Sequence, residues 1–177
     1  TPRRQRQMCI RDRTITITVR GINDPITAVN DTDAVDEDKS ITRSTSSSQE
    51  LDHDDTDPDG DDASGSFTIT AIRTGRESSS SGNVTGTVGE VLNGTYGALT
   101  VSSNGSYLYA ATRSGADALA AGATAIDYFT YTVRDHFGGA TDTAELAITV
   151  TGVGPGAVND TDTCLLYTSD AADEVSC

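Results

Sequence analysis

Short runs in which β-branched or aromatic residues alternate with polar ones recur along this chain, and they constrain its fold more than any other feature. Thr14-Ile15-Thr16-Ile17-Thr18-Val19, Ser66-Phe67-Thr68-Ile69-Thr70-Ala71-Ile72, Tyr128-Phe129-Thr130-Tyr131-Thr132-Val133 and Glu145-Leu146-Ala147-Ile148-Thr149-Val150 all carry the pattern. A period of two places the apolar set on one face of an extended strand, so each run predicts a strand with one buried face. Ala98–Ser102 and Ser106–Tyr109 flank Ser103-Asn104-Gly105, and Asn-Gly between alternating runs predicts a tight hairpin, because both residues tolerate positive φ. Only Ala116–Gly122 reads as a helical turn, bounded by Gly115 and Gly122. Many short strands with Gly and Asn turns predict an all-β fold: a Greek-key β-sandwich with about seven to nine strands over Ala28–Val153.

The two ends do not share this pattern. Arg3-Arg4-Gln5-Arg6-Gln7-Met8-Cys9-Ile10-Arg11-Asp12 and Cys164-Leu165-Leu166-Tyr167-Thr168-Ser169-Asp170-Ala171-Ala172-Asp173-Glu174 can be encoded by one nucleotide string and its frame-shifted reverse complement. That string resembles a transposase-type sequencing adapter. Residues 1–13 and 164–177 are therefore read as adapter-derived and set aside. They are expected to make no packed contacts with the core. All three cysteines and the single methionine leave with them, so the remainder has no disulfide or thiol chemistry.

What remains repeats itself at its edges. Ile17-Thr18-Val19-Arg20-Gly21-Ile22 matches Ile148-Thr149-Val150-Thr151-Gly152-Val153, and Ala28-Val29-Asn30-Asp31-Thr32-Asp33 recurs as Ala157-Val158-Asn159-Asp160-Thr161-Asp162. The chain is expected to be a piece of a tandem array. Residues 14–27 would be the last strand of a preceding repeat and its linker, 28–153 one whole repeat, and 154–163 a linker and the start of the next.

The protein carries 12 Lys and Arg against 27 Asp and Glu, a formal net charge of -15. Nucleic acid is an unsuitable partner, because neutralising phosphate needs clustered basic residues. No run approaches the ~18 apolar residues of a membrane helix, so no membrane insertion is expected. The acidity concentrates in Asp52-His53-Asp54-Asp55-Thr56-Asp57-Pro58-Asp59-Gly60-Asp61-Asp62. Asp55-Thr56-Asp57-Pro58-Asp59-Gly60 fits D-x-D-x-D-G, the front half of a calcium loop in which alternate oxygens fold onto one ion. Position twelve would be Ser66 rather than Glu, so a bidentate ligand must come from elsewhere. Asp55, Asp57, Asp59 and Asp61 are the candidate ligands in this loop; its other reading is a solvated acidic turn. Hard oxygen donors favour Ca2+ over zinc.

Leu92-Asn93-Gly94-Thr95-Tyr96-Gly97-Ala98-Leu99-Thr100-Val101, Asn104-Gly105-Ser106-Tyr107-Leu108-Tyr109, Ala118–Gly122 and Asp127–Asp135 resemble the VCBS repeat. Ala28-Val29-Asn30-Asp31-Thr32 with Asp36-Glu37-Asp38 resembles the cadherin-like tandem repeats of large bacterial surface proteins. The resemblance implies a β-sandwich in a long secreted adhesin or matrix protein, with calcium at the domain junctions. It implies ligand roles for Asn23 and Asp24 in the linker, for Glu37, for Asp57 with Asp59, and for Asp135. Gly154-Pro155-Gly156 departs from Asn23-Asp24-Pro25 and leaves the second linker without those ligands. Counting strands from the linker places the Asp52–Asp62 loop beside it, so Asp24, Asp55, Asp57 and Asp59 should converge, and the opposite end should be the more flexible.

The function expected is a calcium-stabilised structural and adhesive repeat of a secreted or cell-surface protein, non-catalytic. Its partners would be neighbouring repeats of the same chain and surface or matrix glycans or proteins. An enzyme is disfavoured because carboxylate pairs are common by chance in so acidic a chain, and no nucleophile or zinc-ligand motif is present. The alternative is a carbohydrate-binding module, or a domain attached to a secreted glycan-active enzyme, which would want exposed aromatics. Tyr96, Tyr107, Tyr109, Tyr128 and Tyr131 sit mostly in alternating runs and read as core.

Overall fold

The computed structural model describes residues 13–46, 49–59, 67–79, 81–136 and 139–154. Among them the alternating runs form nine strands: β1 (Asp31–Asp36), β2 (Ser40–Arg43), β3 (Thr68–Thr74), β4 (Thr85–Gly86), β5 (Val91–Asn93), β6 (Ala98–Val101), β7 (Tyr107–Ala110), β8 (Thr124–Arg134) and β9 (Thr141–Thr151). One sheet has the order β1-β9-β8-β3-β4, the other β2-β7-β6-β5. The chain crosses between sheets after β1, β2, β4 and β7, which makes the fold an all-β Greek-key sandwich. β1 lies parallel to β9, and β8 lies antiparallel to it.

Alternation in sequence becomes alternation in burial. Along β9, Ala144, Leu146, Ile148 and Val150 are fully buried, and they share one core with Phe129 and Val133 of the neighbouring β8 and with Leu99, Val101 and Tyr109 of the other sheet. Tyr109 and Phe129 meet edge to face across the sheets, with centroids 6.1 Å apart. Tyr107, Tyr109 and Tyr131 are buried, and Tyr96 packs against the core.

The structure corrects four local expectations. In β3 a bulge between Ile69 and Ala71 inserts one residue, so Ile72 turns inward and Ala71 outward; one extra residue inverts every later side chain. At Ser103-Asn104-Gly105 only Gly105 takes positive φ, 79°. Ser102 N–H donates to Ser106 O at 2.8 Å and Gly105 N–H to Ser102 O at 3.2 Å, a three-residue loop closed by a left-handed glycine rather than a two-residue turn. The helical turn α1 is Ser114–Asp117, and Gly115 lies inside it. A Cβ on Gly115 would stand 2.4 Å from Thr95 O, so glycine is needed for close approach, not to bound the turn.

Fourth, Thr14–Val19 forms no strand among the described residues. Its apolar face is exposed, at 82% for Ile15, 80% for Ile17 and 87% for Val19. A strand needs a hydrogen-bonded neighbour, and β9, whose sequence it repeats, already fills the position between β1 and β8. The adapter-derived readings of residues 1–12 and 164–177, Asp61, and the start of a next repeat at 155–163 lie outside the described residues.

Two buried carboxylates hold the sandwich together. Asp127 on β8 accepts hydrogen bonds from Thr95, Tyr96 and Gly97 N–H at 2.8–2.9 Å and from the Tyr109 hydroxyl at 2.7 Å. Asp33 on β1 accepts two from Arg43 of β2, at 2.7 and 2.6 Å, and one from Tyr107 of β7 at 2.7 Å. Burial would raise the Asp33 carboxyl, but these donors outweigh it and hold it below the usual carboxylate value. The Asn93–Gly97 loop sits on Asp127 closely enough to exclude side chains. A Cβ on Gly97 would lie 2.2 Å from Tyr109 Cζ and 2.6 Å from Ala110 O. Gly97→Ala is therefore expected to cost about 1–3 kcal/mol or more through forced displacement, read as a lower urea midpoint; an unchanged midpoint would show that the loop yields freely.

Candidate metal centre at the linker pole

Because β1 and β9 are parallel, the chain enters the sandwich at the pole where β9 begins and both strands run to the far pole. At the linker pole Thr27 and Thr56 exchange backbone hydrogen bonds of 2.9 and 3.1 Å, tying the linker to the acid loop. Asp24 N–H donates to Asp59 Oδ2 at 2.6 Å, Val29 N–H to Asp55 Oδ1 at 2.8 Å, and Ala28 N–H to Asp142 Oδ2 at 2.9 Å. Asp57 Oδ1 accepts from Asp59 N–H at 2.8 Å, folding the Asp57-Pro58-Asp59 turn on itself. The linker thus reads the loop's carboxylates with its own backbone donors.

The sequence-derived candidates divide between the two poles. Asn23, Asp24, Asp55, Asp57 and Asp59 lie together at the linker pole; the Asn23 amide donates to Asp24 O at 2.9 Å. Asp135 follows β8 at the same end, fully buried, with its N–H donating to Ala140 O at 2.9 Å. Glu37 lies at the far pole: it follows β1, and its N–H donates to Thr151 O at 2.9 Å.

Three further acids at the linker pole were not among the candidate ligands. Asp31 opens β1, Glu50 and Asp52 flank the fully buried Leu51, and Asp52 packs under the Gly105 turn, where a Cβ would lie 2.3 Å from Asp52 Oδ1. The signal was available for Asp31, which sits in the Ala28–Asp33 motif that recurs at 157–162. For Glu50 no motif marks it.

Burial at this pole penalises the ionised form of its carboxylates. Glu50 Oε2, both carboxylate oxygens of Asp52, Asp55 Oδ2 and Asp57 Oδ2 are buried without a hydrogen-bond partner, as is Glu37 Oε2 at the far pole. Burying an anion without compensation favours its neutral form. Burial, together with neighbouring acids, pushes Asp31 up to about 8, Asp55 to about 7 and Asp52 to about 6. The Tyr131 hydroxyl lies 2.6 Å from Asp31 Oδ2, 2.9 Å from Leu51 O and 3.0 Å from Val29 O. One hydroxyl proton cannot serve three acceptors at once; an Asp31 carboxyl in its protonated form would donate to the Tyr131 oxygen and leave the hydroxyl proton to the two carbonyls. Among the described residues no three His, Cys, Asp or Glu side chains are gathered on a common point. The carboxylates ring the pole rather than close on one position. The partnerless buried oxygens fit a hard cation, and the donor set is of the type calcium prefers.

The profile of the bacterial cadherin-like domain matches residues 23–152. The chain belongs to this family. No curated protein matches it. The bacterial cadherin-like domain thus begins at the linker asparagine and ends one residue beyond β9, so its limits enclose both sheets and the acid-rich pole. Among its described residues no helix is long and apolar enough to cross a membrane.

Proposed function

We propose that this bacterial cadherin-like domain is a non-catalytic, calcium-stiffened spacer in a tandem array on a secreted or cell-surface protein. The observation that carries this reading is the ring of buried carboxylate oxygens without partners around the linker. Asp55, Asp57 and Asp59 from the loop, Asp24 and Asn23 from the linker and Asp135 from the end of β8 would hold the ion, with Asp31, Glu50 and Asp52 beneath them. The bound cation supplies the positive charge that the pole lacks. The chain's own part is to hold the linker against the loop: the Thr27–Thr56 pairing and the Asp24–Asp59 and Val29–Asp55 hydrogen bonds fix the linker's direction. Relief of the repulsion among Asp55, Asp57 and Asp59 would let the loop hold those contacts more firmly. Glu37 would serve the following junction in the same way.

Extracellular calcium modules bind at about 10⁻⁴–10⁻³ M. A ligand at a hundredfold excess over its dissociation constant adds about 2.7 kcal/mol, which for a domain of this size is about 10 °C in melting temperature. In 10 mM calcium the excess is about a hundredfold at the tight end of that range and about tenfold at the weak end, so melting curves of the full chain in excess chelator and in 10 mM calcium, at a fixed ionic strength, should differ by about 5–10 °C. Superimposable curves would remove the calcium reading.

A further inference from the structure

The exposed stripe of Ile15, Ile17, Val19 and Ile22 has nothing covering it among the described residues; Ile22 is 86% exposed. We propose that Thr14–Ile22 is a donor strand for a second unit of this same fold, seated between that unit's β1 and β8 as its β9. The proposal rests on the tandem-array reading above and goes further, fixing the register, the direction and the partner surface.

Aligning the two repeated segments puts Ile15 at Leu146, Ile17 at Ile148 and Val19 at Val150. Those three host positions are fully buried in β9. Leu146 lies opposite Asp31 and Phe129, Ile148 opposite Asp33 and Asp127, and Val150 opposite Val35 and Ala125. The segment therefore presents an apolar side chain at each of these three core positions. Its remaining residues, Thr14, Thr16, Thr18 and Arg20, fall on the half-exposed face, where a threonine or arginine is tolerated.

Gly21 gives an independent indication. Nothing stands within 4 Å of a Cβ placed on it, and its φ is not in the left-handed range, so its present surroundings do not require glycine. Its counterpart is Gly152, where a Cβ would lie 2.4 Å from Ala120 O and 2.8 Å from Leu119 Cβ. The requirement exists in the β9 slot.

The host cannot be the same unit. Its slot is filled, and the geometry forbids exchange in cis. Ala28 is held 2.9 Å from Asp142, at the start of β9. Ile22 in the slot would stand at Val153, eleven residues further along the strand, about 37 Å away. Six residues from Ile22 to Ala28 reach at most about 22 Å. The host must lie ahead of the linker, with its far pole against this unit's linker pole. The host's hollow of Glu37, Asp38, Asp117, Leu119, Ala121 and Val153 then faces the linker loop of this unit.

The test is a chain in which residues 23–144 are repeated ahead of Thr14, replacing residues 1–13 of the intact protein. The front copy then keeps only Thr141–Ala144 of its own β9, and the rest of that strand can come only from Thr14–Ile22. In one buffer, its calorimetric unfolding enthalpy should be about twice that of the parent chain, since unfolding enthalpy scales with the residues folded. Ile17→Asp should return the two-unit chain to the single-unit enthalpy and leave the parent's melting unchanged. A single-unit enthalpy without the substitution, or a doubling that survives Ile17→Asp, would overturn the proposal. The ratio does not depend on a calcium response, so a melting temperature insensitive to calcium would refute the junction reading alone.

Discussion

Asp127→Ala is expected to lower stability by about 4 kcal/mol or more, the largest effect of a single side chain in the sandwich. The substitution strips an acceptor from four donors at once: three N–H groups of the Thr95–Gly97 loop and the Tyr109 hydroxyl. Each buried donor left unsatisfied costs about 1–3 kcal/mol, against a total stability of about 5–15 kcal/mol for an ordinary domain. Asp127→Asn should fall between, because its amide keeps one acceptor oxygen but turns an N–H₂ toward donors. Tyr109→Phe removes one hydroxyl and should cost only about 1 kcal/mol. Urea midpoints for the three variants give the order directly. An Asp127→Ala protein within about 1 kcal/mol of the parent would mean that water replaces the carboxylate.

The second large effect is a loss of stability with rising pH in the absence of calcium. Asp31, Asp55 and Asp52 have folded values of about 8, 7 and 6 against an ordinary 3.8, chiefly through burial and then through one another and neighbouring acids. A carboxyl raised in the folded state stabilises the fold fully below its unfolded value, and that contribution is lost as pH climbs through the folded value. The window is therefore from about pH 4 to pH 8. Allowing for shared solvent screening, the loss should be on the order of 3 kcal/mol. Asp33 acts oppositely, since its carboxyl is held low; its contribution is lost only in stronger acid, outside the window. Calcium favours the ionised forms, so at millimolar levels the decline should flatten. Urea midpoints at pH 5 and pH 8, with chelator and with calcium, separate the two behaviours. Stability that rises with pH in chelator would contradict the raised carboxyls.

Much of the sandwich was legible in the sequence, because period-two alternation translates directly into one buried face. Tyr128–Val133 and Glu145–Val150 lie within the two longest strands, and their apolar residues at alternate positions form the core. The bulge in β3 left only a faint mark: alternation runs from Ser66 to Ala71 and breaks at the adjacent apolar pair Ala71-Ile72, and the extra residue is placed by pairing with β8. Thr14–Val19 alternates as cleanly as any strand, yet alternation specifies a face and not the neighbour that a strand requires. At the linker pole the D-x-D-x-D-G spacing drew attention to Asp55, Asp57 and Asp59, since local spacing is visible in a sequence. Asp31, Glu50 and Asp52 join them through tertiary packing around Tyr131 and the Gly105 turn. Glu37 sits near the linker in sequence but at the other pole in space, because β1 carries the chain across the whole sandwich.

Calorimetric titration of the full chain with calcium, repeated on Asp55→Asn/Asp57→Asn and on Asp117→Asn, tests the junction most directly. Binding near 10⁻⁴–10⁻³ M that the linker-pole pair of substitutions weakens at least about tenfold, a change of about 1.4 kcal/mol, is the expected result, with Asp117→Asn at the far pole leaving it unaltered. Calcium heats identical in all three proteins, or no heat in any of them, would contradict a cation held at the linker pole.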